Sequence, residues 1–302
     1  MIGKGTDCLY PLYVPVEKGK RERIRVRCMS CDNCKSFRAQ EWCMRLEMES
    51  LYWKDSCFVT LTYNDESLPL NIVDPYLFYS DEEIKEHSEL DYLYIPTHNP
   101  RHLQLFLKRL RKQLKESCRY YAVGEYGTRF GRSHLHIMFF GVAFTSENVR
   151  IIERCWPYGF VKVTPFFKET CSYIAGYVQK KLYGKEKYMF RLPEFMRCSH
   201  HLGERWLMDH LDQFDDEHAY ISFHGYKKPI PRQFRKILLK LGILTKVSPA
   251  QMLEMQLEEY RELKKDCDDK GISLSTFFEN RIKIARERKK RILSSRVRTG
   301  DI

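Results

Sequence analysis

The chain lacks any run of eighteen apolar residues in its 302, and with that it lacks the length of greasy helix a bilayer requires. Its opening stretch, MIGKGTDCLYPLYVPVEKGKRERIRVR, carries no apolar core of the kind a secretory leader needs, so an intracellular protein without membrane attachment is expected. No Gly-x-x-x-x-Gly-Lys-Ser/Thr loop occurs, which excludes a fused P-loop motor, and no internal repeat is present. The eleven cysteines are odd in number and scattered, which argues against a disulfide framework. Acidic residues are outnumbered, 40 Asp and Glu against 52 Lys and Arg, leaving a net charge of +12. Aromatics make up 14% of the chain, and a cationic surface interleaved with rings suits single-stranded nucleic acid. The 43% hydrophobic content is enough for one substantial core with appendages.

Read in order, Ser36 to Leu51 forms an amphipathic helix, and the β-branched and aromatic run Cys57–Tyr63 a strand closed by Asn64-Asp65. Asp65 to Asn99, interrupted by Pro69, Pro75 and Pro96, reads as a long loop with a short helix at Ser80–His87. Pro100 starts a strongly amphipathic helix with Leu103, Phe106, Leu107 and Leu110 on one side. Ser146–Cys155 follows as a helix and Gly159–Phe166 as a strand. A helix is expected over Gly203–Phe214, a short strand over Tyr220–Phe223, and a long helix from Ser248. This order predicts an α+β fold, a central antiparallel sheet with flanking helices. The expected division is a Cys-rich segment and helix over 1–56, a sheet domain over 57–240, and a helical extension with a basic tail over 241–302.

Between Cys118 and Gly141, two strand-like runs flank the Gly-rich stretch Gly127–Ser133. Alternation along a strand puts His134 and His136 on one face and Leu135 and Ile137 on the other. If the loop closes a hairpin, Glu125 joins them from the neighbouring strand, close to where His136 pairs. Such a mixed nitrogen and oxygen set with open positions suits Mg²⁺ or Mn²⁺. Forty residues on, TCSYIAGYVQKKLYG carries apolar residues at helical spacing up to Gly184, with Tyr173 and Tyr177 on one side and Lys180 and Lys181 a turn further along. Either motif alone is as consistent with a solvated face or core packing as with chemistry. Their combination is far more specific.

Two further clusters stand apart. Cys28-x-x-Cys31-x-x-Cys34, with Cys8 or Cys43 as fourth ligand, has the spacing of a structural Zn²⁺ site. The segment HGYKKPIPRQFRK mixes Lys227, Lys228, Arg232 and Arg235 with Tyr226 and Phe234, a candidate DNA-tracking surface. Nine basic residues against Glu287 fill Arg281–Arg298.

A histidine-hydrophobic-histidine strand followed by a Tyr-x-x-x-Tyr-x-x-Lys-Lys helix resembles the HUH superfamily of rolling-circle replication initiators. Closer still, the Cys-rich opening, Phe58-Val59-Thr60-Leu61-Thr62-Tyr63, Gly124-Glu125-Tyr126-Gly127, His134-Leu135-His136 and Tyr173–Lys181 resemble the initiators of microviruses, especially the gokushovirus branch. The likeness covers roughly residues 1 to 240. It implies a tyrosine endonuclease that nicks single-stranded origin DNA, forms a 5′-phosphotyrosine link, leaves a free 3′-OH, and later rejoins the ends to release circles. Glu125, His134 and His136 would hold the metal. Tyr173 and Tyr177 would be nucleophiles, in an order left open, with Lys180 favouring the phenolate or neutralising the phosphate. A host helicase and DNA polymerase would be partners, in the cytoplasm of a bacterial host. The alternatives are a non-catalytic, zinc-stabilised nucleic-acid-binding protein, or a transposase or relaxase of the same superfamily.

Overall fold

Eight-residue runs of β-branched and aromatic residues build the centre of the molecule. In the computed structural model, which describes residues 8–77, 92–114, 117–127, 130–180 and 190–298, the strands β3 (Ser56–Tyr63), β6 (Arg119–Tyr126), β7 (Ser133–Phe140), β8 (Gly159–Pro165) and β9 (Phe195–Cys198) form one antiparallel sheet. Their order is β8-β3-β7-β6-β9. The fold is therefore α+β with a central antiparallel sheet and flanking helices. By proximity the chain divides into two units, Met1–Trp42 with Leu207–Ile302, and Cys43–Trp206.

In the second unit the sheet has two unlike faces. Val59, Leu61, Leu135, Ile137 and Phe139 project to one side and are sealed by α2 (Pro100–Gln113) and α3 (Ser146–Cys155). Leu103, Phe106, Leu107 and Leu110 are buried there with Ile152 and Trp156, the stripe that the spacing after Pro100 predicts. Asn99 caps α2 and Thr145 caps α3, each accepting a backbone N–H at the helix start. The opposite face carries Phe58, Thr60, Val123, Glu125, His134 and His136, and α4 (Lys168–Lys180) packs on it against β6 and β7. α1 (Asp32–Ser50) contributes Glu49, buried and paired with Arg119 at 2.9 Å.

The stretch read as loop holds a hairpin of β4 (Leu70–Val73) and β5 (Leu93–Pro96). Four-residue strands broken by proline carry too little alternation to be seen in a sequence. The expected helix at Ser80–His87 and the stop at Gly184 lie outside the described residues.

The first unit contains the hairpin β1 (Leu12–Pro15) and β2 (Arg23–Val26), and α5 (Glu204–Asp209) ends at its border. A hairpin of β10 (Tyr220–Phe223) and β11 (Tyr226–Pro229) follows, then α6 (Arg232–Lys240), α7 (Pro249–Asp269) and α8 (Leu274–Arg298). Ser248 and Gln251 form a reciprocal capping box at the start of α7. Among the described residues no helix is long and apolar enough to cross a membrane.

Candidate active site

The strand period places both imidazoles on the open face, and the hairpin brings in the carboxylate. Tyr126 pairs with Ser133, so the turn closes where the Gly-rich stretch predicts. Glu125 lies opposite His134 in the register rather than beside His136, but its side chain reaches diagonally, and Oε1 accepts from His136 Nε2 at 3.0 Å. A carboxylate can only accept, so Nε2 carries the proton and Nδ1 accepts from the Thr60 hydroxyl at 3.1 Å. Thr60 sits directly across β3 from His136.

Rings fix the same imidazole from both sides. Tyr177 stacks on it at 4.7 Å and 7°, and Phe58 at 5.8 Å and 10°. Tyr173 meets it edge-on at 6.2 Å. The i, i+4 spacing on α4 brings the two phenols together, and the Tyr177 hydroxyl donates to that of Tyr173. Their environments differ. Tyr177 is buried and Tyr173 is 47% exposed. Burial, the nearby Glu125 charge and the Tyr173 contact push the Tyr177 phenol well above its ordinary value.

His134 Nδ1 donates to the Arg132 carbonyl at 2.8 Å, which leaves the Nε2 lone pair as the ligating atom. Gly127 also donates to that carbonyl, at 2.9 Å. A Cβ on Gly127 would lie 3.0 Å from His134 Cε1, so the glycine makes room for this ring. Burial holds the His134 pKa below its usual value. Among the described residues Glu125, His134 and His136 do not bring all three donor atoms within 4.8 Å of one another. The close pair is Glu125 with His136. The side chain of Lys180 and all of Lys181 lie outside the described residues.

Three residues around the site escaped the sequence reading. His98 is buried at the base of the β6–β7 hairpin, with Nδ1 2.7 Å from Ser133 Oγ and its ring 4.0 Å from that of Tyr126. On edge strand β8, Phe160 pairs with Thr62 and Lys162 with Thr60, so both share the histidine face, and Phe160 is 70% exposed. An edge aromatic at an exposed position breaks the polar-out pattern, which was the available signal.

In the first unit, Cys8, Cys28, Cys31 and Cys34 bring their sulfurs within 4.8 Å of one another. The fourth position falls to Cys8, since Cys43 instead donates to Glu47 at 3.2 Å. Separations of 4.0 Å for Cys28–Cys34 and 3.9 Å for Cys31–Cys8 are close to the ~3.8 Å edge of a tetrahedron with Zn–S of about 2.3 Å. Backbone N–H groups of Cys28 and Cys31 approach sulfur at 3.2 Å, as they would toward thiolates. Burial pushes the Cys28 thiol up, but the Ser30 and Cys31 donors outweigh it and bring it down to about 6. This cluster could hold a metal such as zinc. Lys227 and Lys228 lie on β11, with the Lys227 ammonium 4.2 Å from the Tyr220 ring centre. Arg232 and Arg235 are exposed on the first turns of α6.

Residues 56–182 match the replication-associated protein ORF2 family. The chain is 27% identical over 231 residues to replication-associated protein ORF2 of Spiroplasma virus 4, covering 69% of this chain and 66% of that protein. It is 26% identical to replication-associated protein VP4 of Bdellovibrio phage phiMH2K, covering 69% and 65%, and 26% identical to replication-associated protein ORF4 of Chlamydia phage 1, covering 71% and 53%. The chain thus spans just under two thirds of the first of these relatives. No solved structure matches it.

Proposed function

We propose that this chain, a replication-associated protein of the ORF2 family over residues 56–182, initiates rolling-circle replication by nicking single-stranded origin DNA and later rejoining the ends. The observation that carries this reading is the packing of both phenols against His136, the imidazole that also meets Glu125.

The donor set fits a hard divalent cation, Mg²⁺ or Mn²⁺. His136 Nε2 and Glu125 Oε1 are 3.0 Å apart, the edge expected between two neighbouring ligands at about 2.1 Å in an octahedron, and His134 Nε2 is the third donor. When bound, such an ion would polarise the non-bridging oxygens of a phosphate and offset the Glu125 charge beside Tyr177. The chain's own residues do the rest. Thr60 and the two flanking rings hold the His136 plane. Phe160 and Lys162 offer a stacking surface and a cation to the strand entering along β8.

Tyr173, the exposed phenol, acts first, because Tyr177 donates a hydrogen bond to its oxygen and favours the phenolate that forms. The phenol gives up its proton, the Tyr O–P bond forms, the P–O3′ bond breaks, and the 3′ oxygen takes up a proton. The product is a 5′-phosphotyrosine and a free 3′-OH. The ester retains the bond energy, so a later 3′-OH can reverse the step and release a circle. Tyr177 would serve that second transfer. Lys180, one turn on, would neutralise the phosphate, and a host helicase and DNA polymerase, in the cytoplasm of a bacterial host, would extend the 3′ end.

The test is denaturing electrophoresis after incubation with origin-bearing single-stranded DNA and Mn²⁺. The Tyr173→Phe, Tyr177→Phe double variant should form no covalent adduct yet still bind the strand, and Tyr173→Phe alone should lose most first-round adduct. Adduct surviving the double change refutes the assignment.

A further inference from the structure

The nicking reading makes no use of the C-terminal helices, yet they build a second site within the first unit. Two adjoining hollows of about 520 and 460 Å³ lie between the β1–β2 hairpin and helices α7 and α8, sharing Arg25, Gln256, Phe278 and Arg281. Each is within the ~300–1,000 Å³ range of recognised binding sites. The hairpin is held in place: Arg25 N donates to Gln256 Oε1 at 2.7 Å, Gln256 Nε2 donates to Arg25 O at 3.0 Å, and the Arg25 guanidinium meets Glu259 at 2.9 Å.

The lining is of two kinds only where the hairpin forms the wall. Arg25, Arg27 and Arg281 supply three guanidiniums, Tyr10, Tyr13 and Phe278 supply rings, and no carboxylate lines that hollow. Tyr10 and Tyr13 are more than half exposed and Phe278 is 40% exposed, so the ring faces are open to a ligand. A small hairpin does not ordinarily turn two tyrosines outward beside cations. From there α8 continues as a helix rich in lysine and arginine, from Lys283 to Arg298, which extends the positive track away from the groove.

We propose that this groove binds single-stranded DNA independently of the sheet site, with Tyr10, Tyr13 and Phe278 stacking on unpaired bases and Arg25, Arg27 and Arg281 taking the phosphates. Charge selects a polyanion, since the net charge is +12 and the hairpin hollow is cationic throughout. Interleaved rings select one that carries flat apolar faces, which a polyphosphate or an acidic peptide does not. The groove follows from its own lining and holds whether or not Tyr173 and Tyr177 cut DNA.

The experiment is fluorescence anisotropy on the full zinc-loaded chain with a labelled oligothymidylate of about 20 nucleotides, longer than the ~4–16 nucleotides such grooves cover, and no added Mg²⁺ or Mn²⁺. Tyr13→Ala should weaken binding about tenfold, and Tyr13→Phe should leave it at the parent value. The Arg25→Ala, Arg281→Ala pair should flatten the dependence of log affinity on log salt by roughly 1.4, about 0.7 for each cation lost. Parental urea midpoints in the same variants assign these losses to binding and not to folding. Unchanged affinity in the alanine variants, equal loss in Tyr13→Phe, tighter binding of oligouridylate, or equal competition by polyglutamate would each overturn it.

Discussion

His98 gives the sharpest quantitative expectation. Burial, with the Arg191 charge as the next contributor, pushes its pKa down from 6.5 to about 4, so the ring stays neutral in the folded protein while the unfolded chain protonates near 6.5. Its contribution to stability is complete above pH 6.5 and is lost as pH falls from there to about 4. At about 1.4 kcal/mol per pH unit, that loss amounts to about 3 kcal/mol. His98 Nε2 is buried without a hydrogen-bond partner, so protonation there gains nothing in return. The perturbation is His98→Phe, which keeps a ring beside Tyr126 and Phe195 but leaves Ser133 Oγ unpaired, a constant cost of about 1–3 kcal/mol at every pH. The assay is urea unfolding of parent and variant between pH 4.5 and 7.5. His102 and His134 titrate in both proteins and cancel in the difference. The parent should lose stability toward acid faster than the variant by up to about 1.4 kcal/mol per pH unit. Parallel pH profiles would refute the reasoning.

Other expectations concern the site and its frame. Thr60→Val removes the hydroxyl that His136 Nδ1 accepts from; adduct formation should fall about tenfold with the urea midpoint little changed, and an unaltered rate would show that the imidazole is held without it. Glu125→Gln should weaken Mn²⁺ binding by about 10- to 100-fold in isothermal titration while lowering the Tyr177 phenol pKa, read by ultraviolet titration. Purified protein should carry about one zinc, and Cys34→Ser should abolish it, as read by mass spectrometry of the native protein. Gly159→Ala should cost about 2–4 kcal/mol, since φ is +152° and the new Cβ would lie 2.4 Å from Asn64 N and Thr62 O.

Much of the site is legible in one dimension because its two periods are local. His134 and His136 share a face by strand alternation, and Tyr173 and Tyr177 share a side by helical spacing. Glu125 is reachable by the same logic, although only the register shows that its carboxylate crosses diagonally to His136. What is hidden is long-range. β9 is four residues long and joins the sheet across the gap from β7, with Phe195 meeting Gly124 where a Cβ would be 2.5 Å from the ring. Thr60 and Phe58 read simply as strand residues until β3 is laid beside β7. His98 lies in a proline-broken stretch whose burial nothing nearby announces. The role of Cys8 was open because twenty residues separate it from Cys28, and only the folded hairpin closes that distance.

The unlike faces of β7 carry a consequence for insertions and deletions. Removing a single residue between Gly127 and His134 without slack in the turn would slide the strand by one pleat, sending the imidazoles into the oil of Leu103 and Phe106 and bringing Leu135 and Ile137 out to meet the phenols. The protein would then lose its chemistry and its core in one step, so the length of that turn is under as tight a constraint as any ligand it presents.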